Sequence, residues 1–489
     1  MPSSVRFISS LALLVFAFGA IGITLELPGL APTPSMEAVQ HIVTGPSFLA
    51  PLAVAAAFYV YVRTRPLPGA MMRSAHYLPG IDLGQPTPQR LAALRANLAP
   101  RLVDADGLEL ADLLVHAAVQ AKASDIHVHP TGEVTQLSVR VDGVLEPLGD
   151  VSLAQYGALI NRLKVLGRLT HYVTDKPQDG QFALPTPDGT AEVRISLLPT
   201  QHGEKAVLRL SGLGNELPSL EALRLPDSVR NQLTRMLEKP QGLIFFTGPT
   251  GSGKTTSIYA SVTHLQQTRG ALAQVATIED PIEHSIPGAA QTQVNRNAGL
   301  DFASGLRALL RQDPNVLVVG EIRDAETARI ATQAALTGHL ILTTVHADSA
   351  PGVFNRLLEM GVEASVLSSV SLATFSQRLL RRLCPHCRRV EPPSAEQLER
   401  LKAAGAPVEG YFTAPGCAEC GQTGIAGRVA IFEVLIVGDR VREELKSAPN
   451  TQRLMSLAVE EGLVPLREAA LKSARDGEVS LAEALRVTA

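Results

Sequence analysis

Tryptophan is absent, and aromatic residues make up only 4% of the 489 residues. A single-strand nucleic-acid binder stacks bases on aromatic faces, so that class is left with few platforms. A surplus of positive charge is missing too: the net charge is −3 and the pI is near 6.5. Binding along a phosphate backbone needs a basic face, so nucleic acid is disfavoured as the main partner. Cysteine is scarce. The four present form two tight pairs, Cys384/Cys387 and Cys417/Cys420, with none left for a scattered disulfide framework. That pattern points to a reducing compartment and a metal rather than bridges.

What the chain does have begins with two apolar runs. Residues 8–25 are uncharged and about long enough to cross a bilayer. Residues 47–62 form a shorter run interrupted by Pro51. Arg6 precedes the first run, and Arg63, Arg65 and Arg73 follow the second, while the segment between has Glu26 and Glu37 but no Lys or Arg. The positive-inside rule then predicts a transmembrane hairpin over residues 1–66 with both ends in the cytoplasm. A cleaved signal peptide, or one span followed by a surface-lying or buried segment, are the competing arrangements.

Residues 67–106, rich in Pro, Gly and Ala, read as a linker with one helix near 88–97. Over 107–212, apolar/polar alternation broken by Pro-Thr-Gly and Asp-Gly predicts a small α/β domain. From 220 to 383, short apolar runs at 243–247, 275–278, 316–319 and 340–345 alternate with helical stretches, the signature of a parallel sheet with crossover helices. Residues 384–428 hold the cysteines, and 429–489 are expected to be a C-terminal helical region.

The run GPTGSGKTT places Gly248, Pro249, Thr250, Gly251, Ser252, Gly253, Lys254, Thr255 and Thr256 after an apolar strand and at the start of a helix. That is the context a phosphate-binding loop requires. Its glycines let backbone N–H groups curl around phosphate oxygens, and the helix N-terminus adds a favourable dipole. Lys254 is placed for the β- and γ-phosphates and the Thr255 hydroxyl for magnesium. Downstream, TIEDPIE supplies Glu279 and VLVVGEIRD supplies Glu321, each at the end of a predicted strand. Parallel strands share one ligand-binding rim, so both are expected beside the loop. The plainer role for such acids is helix capping, and Asp324 fits it. His339 and His346 flank another strand; a strand-end histidine serves as readily on the surface or as a cap. The paired C-x-x-C motifs fit four thiolates closing a tetrahedral zinc site with no open catalytic position.

Together GPTGSGKTT, TIEDPIEH, RQDPNVLVVGEIRDAETA, TGHLILTTVHADSA, RLCPHC, CAECGQTGIAGRVAIFEVL and the upstream ASDIHVHP and VRVDGVL resemble the ATPases of type II secretion and type IV pilus assembly, over residues 107–489. The resemblance implies a RecA-like ATPase domain, hexameric rings, ATP, Mg2+ and Zn2+, and inner-membrane platform and pilin-like partners at the cytoplasmic face of the inner membrane. It implies that Gly320-Glu321 replaces the usual strand-end aspartate. Thr255 with Glu321 would hold magnesium and Glu279 would polarise water, roles the two glutamates can exchange. His339 and His346 match the family's histidine box. Arg194 matches a phosphate-contacting arginine of the preceding domain, whereas Gln181 stands where a second is expected, leaving Arg140 or Arg209 as substitutes. The cysteines favour assembly over retraction. The hairpin occupies the place of a larger soluble N-terminal module. A low-turnover nucleotide-binding scaffold, suggested by Gln181, and a DNA-translocating ATPase are the alternatives.

Overall fold

The computed structural model describes residues 78, 81 and 87–488, except 187–188, 212–216, 271–273 and 448–449. The expected hairpin and most of the first half of the linker lie outside the described residues. Among those described, no helix is long and apolar enough to cross a membrane.

The first layer system comprises α1 (Thr87–Asp104), α2 (Gly107–Ala121), β1 (Asp125–Pro130), β2 (Thr135–Val141), β3 (Val144–Val151), α3 (Leu153–Leu166), β4 (Gln178–Thr186), β5 (Gly189–Thr200) and β6 (Gly203–Ser211). The six strands form an antiparallel sheet in the order β3-β2-β1-β6-β5-β4. One face is apolar: Ile126, Val128, Val139, Leu208, Val193 and Ile195 are buried against the helices. The other face is polar, as expected of an antiparallel sheet covered on one side. The segment read as linker differs from expectation. Leu91, Leu94, Leu98 and Leu102 recur at helical spacing on α1 and are buried in this same core, so α1 belongs to the domain it precedes.

The second system follows with α4 (Asp227–Leu237), β7 (Gly242–Thr247), α5 (Lys254–Arg269), β8 (Val275–Glu279), β9 (Ala290–Gln293), α6 (Phe302–Leu309), β10 (Val316–Val319), α7 (Ala325–Leu336), β11 (Leu340–Val345), α8 (Gly352–Glu359), α9 (Ala364–Ser369) and β12 (Leu372–Leu383). After these come β13 (Arg389–Val390), α10 (Ala395–Ala403), β14 (Phe412–Thr413), β15 (Ile425–Ile436), α11 (Asp439–Leu445), α12 (Thr451–Glu460), α13 (Leu466–Arg475) and α14 (Leu481–Val487). Its sheet runs β15-β12-β7-β11-β10-β8-β9, parallel except for the β12–β15 pair. Alternate strand residues feed two cores: Leu243, Phe245 and Leu317 on one face, Ile244, Phe246 and Val316 on the other. Burial on both faces explains why these strands read as unbroken apolar runs. Each such side chain contributes roughly 1.5–3 kcal/mol.

Residues 429–436, expected to open a helical region, instead lie in β15. Their β-branched, apolar run zips against β12 from Ile436 opposite Ala373 to Arg428 opposite Arg381, and Ile431 to Leu435 are mostly buried. Helices follow only from Asp439. The β12 strand outruns its neighbour: it pairs with β7 only as far as Ser376 opposite Thr247, then continues with β15 to Leu383.

Candidate nucleotide site and cysteine cluster

Because β7, β8, β10 and β11 are parallel, their C-terminal ends share one rim. There they surround a cleft of about 540 Å³ lined by Thr250, Gly251, Gly253, Lys254, Thr255 and Thr256 of the loop together with Glu279, Glu321, His346 and Arg209. The loop passes from β7 to α5 through Gly253, whose φ of +89° lies in the left-handed region open to glycine. Lys254 folds back over the loop and donates to the carbonyls of Gly248 at 2.9 Å and Pro249 at 3.0 Å. Burial, then Arg378, lower the Lys254 ammonium from its ordinary value, while Glu321 and Glu283 act in the opposite direction. Thr255, in the first turn of α5, and Thr256 line the same space.

Glu279 is 4% exposed and held from three sides. Its Oε2 accepts from the Tyr259 hydroxyl, and its Oε1 accepts from Thr277 Oγ1 at 2.6 Å and Gln291 Nε2 at 3.2 Å. A carboxylate offers about four acceptor positions, so one on Oε2 is left for a water. Burial, then the Glu279 charge, raise the Tyr259 phenol far above its ordinary range, which keeps it a donor.

Gly320 lies beside Glu279 on the adjacent strand. A Cβ at 320 would meet Glu279 Cα at 3.3 Å and the Ile278 carbonyl oxygen at 3.4 Å. A side chain at the strand tip would thus press on the neighbouring backbone, and the first carboxylate after the strand is Glu321, one residue on. Glu321 pairs with Arg323 at 2.6 Å. Asp324 takes the plainer role: it caps α7, accepting from Thr327 N at 2.8 Å.

The two histidines separate. His346 follows β11 and lines the cleft. His339 precedes β11, with its Nδ1 3.1 Å from the Ala334 carbonyl at the end of α7. A six-residue strand rises about 20 Å, so His339 sits at the opposite rim and does not join this cleft.

Five polar residues stand in register on the first sheet: Arg140, Asp125, Arg209, Arg194 and Gln181 are successive Cα partners across β2, β1, β6, β5 and β4. Asp125, 6% exposed, accepts from Arg209 Nε at 3.0 Å and lies 3.7 Å from Arg140 Nε. Of the row, Arg209 lines the phosphate cleft. Arg194 and Gln181 line an adjoining cavity of about 700 Å³ that shares Arg209, Asp280 and Pro281. Arg194, expected at the phosphates, thus lines the adjoining cavity, one strand from Arg209, which lines both. Tyr259, Thr277 and Gln291 went unread in the sequence because nothing local marks them; only α5, β8 and β9 coming together does.

At the far end of the β12–β15 hairpin, the ligand atoms of Cys384, Cys387, Cys417 and Cys420 all lie within 4.8 Å of one another. The Sγ separations include 3.9 Å for Cys384–Cys417, 3.9 Å for Cys387–Cys420 and 3.7 Å for Cys417–Cys420. Zinc–sulfur bonds of about 2.3 Å in a tetrahedron place sulfurs about 3.8 Å apart, so the donor set and its spacing fit zinc. Cys420 accepts from the backbone N–H of Cys417 and of Gly424, both at 3.2 Å. Burial alone would raise its thiol, but these donors outweigh it and hold the group at about 6.

With this geometry in view, the comparison with known families is decisive: residues 104–486 match the family described as type II/IV secretion system protein. The chain belongs to the type II/IV secretion system protein family. Type II secretion system protein E of Klebsiella pneumoniae is 43% identical to it over 385 residues, covering 79% of this chain and 76% of that protein. The type IV pilus assembly ATPase PilB of Thermus thermophilus is 40% identical over 377 residues, 77% of this chain but 42% of that longer protein. Among solved structures, the pilus retraction motor PilT with bound ADP shares 26% identity at a TM-score of 0.54, covering 76% of this chain and 95% of that one. The ATPase DotB of Legionella pneumophila, at 22% identity, shares the fold, with a TM-score of 0.57 over 77% of this chain and 95% of its own. This type II/IV secretion family member is an ATPase.

Proposed function

We propose that this ATPase is a homo-hexameric motor tethered to the inner membrane by residues 1–66, powering type II secretion or type IV pilus assembly. The observation that carries the catalytic part is the single cleft shared by the loop, Glu279, Glu321, His346 and Arg209. Loop amides and Lys254 bind the phosphates of ATP. Thr255 and Glu321 would hold magnesium, which supplies charge neutralisation on the phosphate oxygens. Glu279, fixed by Tyr259, Thr277 and Gln291, orients the attacking water through its open acceptor position. Arg209 stabilises charge that develops on the transferred phosphoryl group, and Arg194 stands ready beside it for a more closed cleft. Cleft closing and opening between the two layer systems would drive pilin-like subunits out of the membrane. The cysteine cluster, loaded with structural zinc, supports assembly over retraction, and the charge pattern around residues 8–62 supports a tether with the catalytic layers in the cytoplasm.

Phosphate release by the purified chain, with and without Glu321→Gln, tests the enzyme. Turnover that Glu321→Gln abolishes supports the motor, whereas a wild type as slow as the variant supports a nucleotide-binding scaffold. Gln181 is the observation that favours that second reading, and Arg209 in the cleft is the one that weighs against it. Deleting residues 1–66 should release the motor from the membrane pellet, and light scattering of the released chain with ATP should give six copies.

A further inference from the structure

Gln377 is 2% exposed in the middle of β12. A buried amide must be satisfied internally, and here both halves engage the phosphate loop and its helix. Nε2 donates to the carbonyl oxygen of Ser252 at 2.5 Å, and Oε1 accepts from the Ser257 hydroxyl at 2.9 Å. A carbonyl only accepts, so the amide nitrogen has to face it, which fixes the orientation of the side chain. The loop also packs on this residue. A Cβ at Gly248 would come within 2.4 Å of the Gln377 carbonyl oxygen, and one at Gly253 within 2.9 Å of Nε2.

The orientation of the peptide between Ser252 and Gly253 is set by the ψ of Ser252 and the φ of Gly253. Gly253, at φ +89°, has no Cβ to select one orientation, so that selection falls to neighbouring groups. In a planar trans peptide the C=O and the following N–H point in opposite directions. Holding the Ser252 carbonyl against β12 therefore turns the Gly253 N–H away from β12, and Gly253 lines the phosphate cleft.

We propose that Gln377 is a positioning residue for nucleotide binding: it latches the Ser252–Gly253 peptide so that the Gly253 N–H faces the phosphates. The proposal rests on the reading of this loop as the triphosphate site. It adds a residue from a strand outside the loop motif, β12, which is followed directly by Cys384 of the cysteine cluster.

Two variants of the full chain separate a latch from a simple strut between β12 and α5. Gln377→Met keeps the length and the packing but loses both hydrogen bonds. Ser257→Ala loses only the bond to the helix and leaves the Ser252 latch in place. Affinity is read with a fluorescent ATP analogue and its ADP counterpart, alongside KM and kcat for phosphate release, melting temperature and zinc content. A latch predicts about tenfold weaker binding of both nucleotides in Gln377→Met, the effect of one well-placed hydrogen bond, and a change of about twofold or less in Ser257→Ala. Zinc content should be unchanged in both. Wild-type affinity in Gln377→Met, or equal losses in the two variants, overturns the latch. Should Gln377→Met fail to fold, Gln377→Asn, one methylene short of both partners, carries the same expectation. A wild-type chain that binds neither nucleotide overturns the parent reading instead, so the two failures are distinguishable.

Discussion

The hydroxyl of Tyr259 on α5 donates to Oε2 of Glu279 at the tip of β8. Helix and acidic strand are thereby joined at the carboxylate assigned to the attacking water. Removing the donor in Tyr259→Phe leaves Glu279 with Thr277 and Gln291, both on Oε1, so the free oxygen is no longer held. We expect kcat to fall on the order of tenfold, the loss of one hydrogen bond to a charged group. KM for ATP should stay within about twofold, because Tyr259 does not reach the loop through any bond. Steady-state phosphate release measures both, and a KM effect without a kcat effect would contradict the assignment.

Gly320 tests the tight strand tip. In Gly320→Asp the new Cβ meets backbone atoms of the neighbouring strand, Glu279 Cα at 3.3 Å and Ile278 O at 3.4 Å, and backbone gives way reluctantly. Overpacking of this kind costs about 1–3 kcal/mol. Restoring the aspartate common in other nucleotide sites should therefore lower the melting temperature and lower turnover. Gly320→Ala isolates the steric part, and an unchanged melting temperature in that variant would show that the tip has room.

The arginine row distinguishes positions by one strand. Arg209→Ala should reduce kcat/KM by about a hundredfold, the scale of losing one charge-stabilising donor. Arg194→Ala, in the adjoining cavity, should cost less. Gln181→Arg should raise turnover if that cavity closes onto the phosphates during the cycle. The ordering Arg209 before Arg194 in a side-by-side kinetic assay is the quantity to check.

Glu483 on α14 makes the protein acid-sensitive. The carboxylate is 3% exposed, accepts from Arg486 Nε at 2.9 Å and Nη2 at 2.8 Å, and pairs with Arg381 of β12 at 2.8 Å. Burial works against its charge, but the hydrogen bonds from Arg486 and Arg381 prevail and lower it from 4.5 to about 2. A folded value below the unfolded one adds stability that is complete above about pH 4.5 and drains away as pH falls towards 2. Glu483→Gln should lose about 2 kcal/mol at pH 7, with the gap to wild type shrinking by pH 3. Denaturant titrations at the two pH values give that gap directly.

Much of this was legible in the chain itself because the signals are local. The loop announces itself by glycine spacing between strand and helix, the cysteine pairs by their knuckle spacing, and α10 by Ser394, whose side chain caps it and accepts from Gln397 N at 3.3 Å. What escaped depends on register and direction. Arg194 and Arg209 lie on one face of adjacent strands, and only the pairing of β5 with β6 and the placement of the cleft decide which of them lines it. His339 and His346 read as a pair, yet a strand between them sends one to each rim. Gln377 carries no local signal, and its partners, Ser252 and Ser257, are brought to it only by the crossing of β12 past the loop. The α1 helix was read as linker since its leucines have nothing to bury against until β3 and α2 are in place.

The row Arg140–Asp125–Arg209–Arg194–Gln181 has one further meaning. Its members are fixed to neighbouring strands of a single rigid sheet, like teeth on a comb. Under the proposed closing of the cleft, the row would travel with its sheet, so its guanidinium groups would arrive and withdraw together. Swapping one tooth should then change the strength of the grip without changing when the row arrives.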